Sequence, residues 1–106
     1  MALSRDFKES VVARARRDPR FAAALLNEAA TAFLEGEPDI ARMVLRELVN
    51  ATIGFERLAS TTGTPSKSLH RMLSAAGNPS MDNLAAIFDA LRGHLKVSLK
   101  TKTVAA

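Results

Sequence analysis

The chain contains no cysteine, no tryptophan and no tyrosine. Without cysteine there is neither a disulfide framework nor a thiolate metal site. Five phenylalanines are the only aromatic side chains apart from histidine, which is too few for a platform on which single-stranded bases stack. No apolar run approaches the roughly 18 residues of a membrane span. The opening MALSRDFKES lacks the apolar core of a signal peptide. A cytoplasmic protein without membrane association is therefore expected. Cofactor and catalytic signatures are missing as well: there is no GxGxxG, no P-loop and no HExxH. The only histidines are His70 and His94, and neither has carboxylates at metal-ligand spacing. Ser66 and Ser74 each lie four residues from His70, but a nucleophile also needs an orienting acid and an oxyanion site, and no acid occurs between Arg57 and Asp82. Neither an enzyme nor a cofactor or metal is expected.

What is present is a chain of 106 residues, enough for one domain with a modest core. Its formal net charge is +4, and the excess is segregated. Residues 1–51 hold eight basic and eight acidic side chains. Residues 52–106 hold seven basic side chains (Arg57, Lys67, Arg71, Arg92, Lys96, Lys100 and Lys102) against three acids (Glu56, Asp82 and Asp89). A basic half beside a balanced one is the footprint of a partner with a phosphate backbone, or else a basic surface that serves only solubility.

The most informative stretch is GFERLASTTGTPSKSLHRMLSAAG, residues 54–77. It reads as two short helices, one from about Phe55 to Thr61 and one from about Pro65 to Ala75, joined by a turn. Ala59 lets the second helix cross close to the first. Gly63 can take a positive φ without a Cβ clash. Thr64 suits the cap of the second helix and Pro65 its first turn. Leu69, Met72 and Leu73 fall on one face, at i, i+3 and i+4. Ser66, Lys67, Ser68, His70, Arg71 and Ser74 fall on the other. A helix apolar on one side and basic, small and polar on the other suits a DNA major groove, although a helical hairpin can also do nothing but pack.

The rest of the chain reads as further helices. Ser4 and Asp6 open the first, with Phe7, Val11 and Ala15 as its apolar stripe and Arg14, Arg16 and Arg17 at its end. Asp18-Pro19 starts a second that runs to about Glu35, with Phe21, Leu25, Ala29 and Phe33 facing the core, and Gly36 ends it. Glu37-Pro38-Asp39 opens a third, to about Asn50, with Ile40, Ala41, Val44, Leu45, Leu48 and Val49 apolar and Arg42, Arg46 and Asn50 along another face. Ser80 caps a sixth, with Leu84, Ile87, Phe88 and Leu91 buried, and Gly93 stops it. Then the period changes. Leu95, Val97 and Leu99 alternate with Lys96, Ser98 and Lys100, which predicts a strand over 94–100. A lone strand leaves its backbone groups unpaired. Pairing with the same strand of a second copy would satisfy them, so Leu95, Val97 and Leu99 are candidate dimer contacts; folding back on its own chain, waiting for a partner protein and dimerisation through the sixth helix are the alternatives. The expected fold class is all-α, about six helices, with one short C-terminal strand. One domain spans 1–106: an N-terminal helical extension (1–36), a core (38–92) and the strand.

Residues 39–92, and in particular the run SKSLHRMLS…GNPSMDNL, resemble the lambda-repressor-like helix-turn-helix domain of phage repressor and Cro-type regulators. Within that group the chain from about 5 to 100 resembles the HigA-related antitoxins, or antidotes, of addiction modules, through FLEGEPDIARMVLRELVNATIGFERLA, PSKSLHRMLSAAGNPSMDNLAAIFDAL and the closing apolar segment. The resemblance implies a transcriptional repressor that binds its own operator and also a small toxin of the RelE/ParE type. It implies base readout from Ser66, Lys67 and Arg71. Lys67 and Arg71 lie four apart and each can donate to guanine O6 and N7. Ser68, His70 and Ser74 suit phosphate contacts, as do the N–H groups of Phe55 and Glu56 at a helix start and Asn78 beyond the recognition helix. Phe55 departs from the family's pattern, in which a polar residue is common there, so readout from its side chain is in doubt. The implied partners are an inverted-repeat operator in double-stranded DNA, a toxin and a second copy of the chain. Other readings are a prophage-type regulator without a toxin, and an interaction module whose basic face meets an acidic protein. Residues 1–36 either brace the core or carry the toxin contact.

Overall fold

A computed structural model describes residues 5–106, and over these the chain forms six helices: α1 (Arg5–Arg17), α2 (Pro19–Leu34), α3 (Pro38–Ala51), α4 (Phe55–Thr62), α5 (Ser66–Met72) and α6 (Met81–Leu95). The proposed cap at Ser4 lies outside the described residues. The start of α2 follows its sequence signal. Asp18 Oδ1 accepts from the N–H groups of Arg20 and Phe21 at 3.1 and 3.2 Å, and Pro19 takes the first helical position. Ser80 Oγ does the same for α6, accepting from the Asn83 N–H at 3.1 Å.

α1, α2 and α3 pack on one another, α4 and α5 form a hairpin, and α6 lies against both α2 and α4. One core joins the two halves. Leu26, Leu45, Leu48, Val49, Leu58, Leu69, Leu73, Ile87 and Leu91 are each below 2% exposed, and no polar or charged residue is buried among the described residues. Each such side chain contributes about 1.5–3 kcal/mol through its removal from water.

The stripe of α2 is rotated from the expected one. Ala22, Leu26, Ala29 and Ala32 are buried, Phe21 and Leu25 are half-buried, and Phe33 is 43% exposed. Alanines at the contact let α2 sit close to its neighbours, which moves the larger side chains to the flanks. Phe7 and Ile40, placed on the apolar stripes of the first and third helices, are likewise exposed, at 52% and 39%.

The C-terminal strand does not form: no strand occurs among the described residues. α6 runs through Gly93 to Leu95 and ends in a Schellman motif, with the Val97 N–H on the Arg92 carbonyl at 3.0 Å and the Lys96 N–H on the Gly93 carbonyl at 3.3 Å. Lys96 takes the left-handed conformation this needs, φ 58 and ψ 46. The residues that follow are outside any regular element, but the alternation survives as burial. Leu95, Val97 and Leu99 are half-buried against the core of their own chain, while Lys96, Ser98 and Lys100 are exposed. A period of two reports only which side chains are covered. A strand also needs a second backbone to pair with, and the chain supplies none.

Candidate nucleic-acid interface

The α4–α5 hairpin turns at Gly63. Its φ of 72 and ψ of 17 are left-handed, and its N–H donates to the Ala59 carbonyl at 2.9 Å, closing α4. Thr62 Oγ1 donates to the Leu58 carbonyl at 2.8 Å and accepts from the Thr64 N–H at 3.4 Å. Thr64 therefore does not cap α5. Pro65, at φ −57 and ψ 141, is the boundary residue, its carbonyl accepts from the Leu69 N–H at 3.1 Å, and no side chain caps the helix. Leu58, Leu69 and Leu73 are buried, so the orientation of α5 is set by its apolar face.

α5 is shorter than its apolar spacing suggests, seven residues ending at Met72. Two features end it there. Ser74 turns back, its N–H and Oγ both donating to the Arg71 carbonyl at 3.2 and 2.7 Å. Gly77 then packs where a Cβ would overlap the carbonyls of Arg71 and Met72. Ser74 is therefore not on the face of α5 but in the turn beyond it, and its donor is used on backbone rather than on His70.

Of the residues singled out in the sequence, Lys67, His70 and Arg71 are exposed on α5, with Ser66 and Ser68 half-buried beside them. Lys67 and Arg71 form no ion pair among the described residues, unlike Arg14 with Asp18 and Arg92 with Asp89. Glu56 is exposed in the first turn of α4, whose N–H groups have no side-chain cap. The Phe55 side chain is turned inward, 7% exposed, and its ring stacks on that of His70 with centroids 3.8 Å apart and planes 19° from parallel. Phe55 thus offers backbone only and holds His70 in place, a pairing that a linear pattern cannot reveal because the two are 15 positions apart. Asn78 is exposed in the turn before α6, in a shallow cleft shared with Phe33, Pro38 and Leu84. Arg42, which the sequence places only on a polar face of the third helix, has a contact that its spacing does not reveal. It lies on α3, yet its Nη2 donates to the Ala75 carbonyl at 3.2 Å and so ties α3 to the turn after α5.

Other exposed side chains have the opposite character. Phe33 and Leu34 at the end of α2, Ile40 in the first turn of α3 and Met81 at the start of α6 are large apolar side chains left exposed. Glu35, Glu37, Asp39 and Asp82 are exposed close to them in the chain. Among the described residues no three His, Cys, Asp or Glu side chains come together as a metal site, and no helix is long and apolar enough to cross a membrane. No family model matches the chain, and no curated protein or solved structure is significantly similar to it.

Proposed function

We propose that this protein is a sequence-specific DNA-binding transcriptional regulator, with α4 and α5 as a helix-turn-helix and α5 as the recognition helix. The observation that carries this is the presentation of Lys67 and Arg71. They stand one turn apart on a helix whose other face is anchored by Leu69 and Leu73, they are exposed, and they have no carboxylate partner among the described residues. The whole net charge lies in the same half of the sequence. Unpaired cations four residues apart on a rigid helix suit guanine edges, and the uncapped start of α4 suits a phosphate.

The resemblance to addiction-module antitoxins extends the proposal to a repressor of its own operon that also binds a RelE/ParE-like toxin. The exposed Phe33, Leu34, Ile40 and Met81 with their acidic neighbours favour a protein partner that is itself apolar and basic. A plain basic surface meeting an acidic protein is the competing account of α5. Selection from a randomised duplex library separates the two. Enrichment of one inverted repeat, retained in excess competitor DNA, is expected. A protein that enriches no sequence, and whose binding disappears uniformly with salt, overturns the sequence-specific reading.

A further inference from the structure

We propose that the cleft between α1, α3 and the turn after α5 holds a phosphate of the DNA backbone, with Lys8, Arg42 and Arg46 as its ligands. The cleft has a volume of about 210 Å³ and is bordered by Lys8 from α1, by Asp39, Arg42 and Arg46 from α3, and by Ser74 and Ala75. Three cations thus face one carboxylate, and none of the three is in an ion pair among the described residues. Arg42 is bound at one end only. Its Nη2 reaches the Ala75 carbonyl at 3.2 Å, while its Nε is buried and has no acceptor. That Nε has almost no accessible surface and is closed to a ligand in the cleft; what favours an anion there is the excess of positive charge around an accessible opening.

The position of the cleft identifies the anion. Ser74 and Ala75 follow α5 directly, and the Ser74 hydroxyl is bonded to the carbonyl of Arg71 itself. A helix in the major groove is flanked by phosphates on both walls, and contacts to them set its register. A duplex seated on α5 would bring one wall to the Ala75 end of the hairpin, where Lys8, Arg42 and Arg46 line the cleft. This inference rests on the DNA-binding reading of α5. It adds that α1, outside the helix-turn-helix, is part of the DNA surface through Lys8, and that α3 contributes charge as well as core.

The test uses the full chain and a short random-sequence duplex, with binding followed by fluorescence anisotropy at several salt concentrations. Four proteins are compared: the unaltered chain, Lys8→Ala with Arg46→Ala, the charge-preserving Lys8→Arg with Arg46→Lys, and Lys67→Ala with Arg71→Ala. The cleft pair is expected to bind several-fold more weakly, with the slope of log affinity against log salt shallower by about one phosphate contact. The charge-preserving pair is expected to keep the original slope. If the alanine pair melts early, Lys8→Gln with Arg46→Gln retains the aliphatic stems and is read in the same way. An unchanged slope in the cleft pair, with binding still lost in the α5 pair, overturns the cleft and leaves the reading of α5 intact. Failure of the unaltered chain to bind any duplex at low salt overturns both. Binding to phosphatidylserine vesicles but not to duplex, abolished in the cleft pair, assigns the site to lipid headgroups and overturns the nucleic-acid assignment.

Discussion

Two glycines bracket α5, and each is needed for a different reason. At Gly63 there is open space where a Cβ would go, so a substitution is penalised only by the left-handed backbone, φ 72. Gly63→Val is expected to destabilise the fold by at least about 1–2 kcal/mol, and Gly63→Asn by much less, because asparagine tolerates that region. Thermal melting of the two variants checks this; identical melting would mean that the turn is not held left-handed. At Gly77 the obstacle is contact, since a Cβ meets the carbonyls of Arg71 and Met72. Backbone cannot yield as a side-chain tip can, so Gly77→Ala is expected to cost about 1–3 kcal/mol, as overpacking does. Arg71 differs from both because its guanidinium is exposed and removing it leaves no cavity. Arg71→Ala is expected to leave the melting temperature alone, to weaken binding to a selected duplex by about 1–3 kcal/mol and to relax preference at one base pair. An equal loss on a scrambled duplex would make Arg71 a phosphate contact instead.

At the scale of elements, signals carried by neighbouring residues were legible in the sequence and signals carried by distant ones were not. Asp18-Pro19, Ser80 and Gly63 mark local backbone events, and the structure has those events in place. The apolar face of α5 was legible for the same reason, through Leu69 and Leu73. The end of α5 was not, because it depends on Ser74 and Gly77 folding back over the last turn. Nor was the Phe55–His70 stack or the bond from Arg42 to Ala75, each of which joins separate helices. The end of α6 misled through a plausible glycine. Gly93 stays helical, and the left-handed residue is Lys96, three positions on. A non-glycine residue there carries strain that glycine would relieve, so Lys96→Gly is expected to stabilise the fold by up to about 1 kcal/mol. Val97→Asp is expected to destabilise it, because Val97 packs on the core of its own chain. Denaturant unfolding of the two variants measures both effects. A Val97→Asp protein as stable as the original would return that side chain to a contact made only between chains.

At the scale of the molecule, the proposed role of α5 as a recognition helix raises the question of how so short a helix would achieve useful specificity. α5 has seven residues and spans about 10 Å at 1.5 Å per residue, enough to read only a few base pairs. Two copies set about 34 Å apart read two half-sites on one face of the duplex, and an inverted repeat requires a two-fold axis between them. A homodimer is therefore expected on its DNA. The strand expected over residues 94–100, through which a two-stranded ribbon would form, is not present: Leu95 belongs to α6, and Val97 and Leu99 are half-buried against their own chain. Without a strand, a dimer contact is expected from side chains exposed on the folded surface, and the large apolar ones are the candidates. Met81, 83% exposed at the first position of α6, and Leu34, 62% exposed at the end of α2, are the most open of those within helices. Burying such side chains across a two-fold axis doubles each contribution, because every residue appears twice. Sedimentation of the full chain, alone and with a selected inverted-repeat duplex, is expected to show two chains per duplex. Met81→Glu with Leu34→Glu is expected to leave each copy folded and to halve the protein bound. One chain per inverted repeat in the unaltered protein would refute the dimer, and undiminished pairing in the glutamate variant would move the contact away from that end of the molecule.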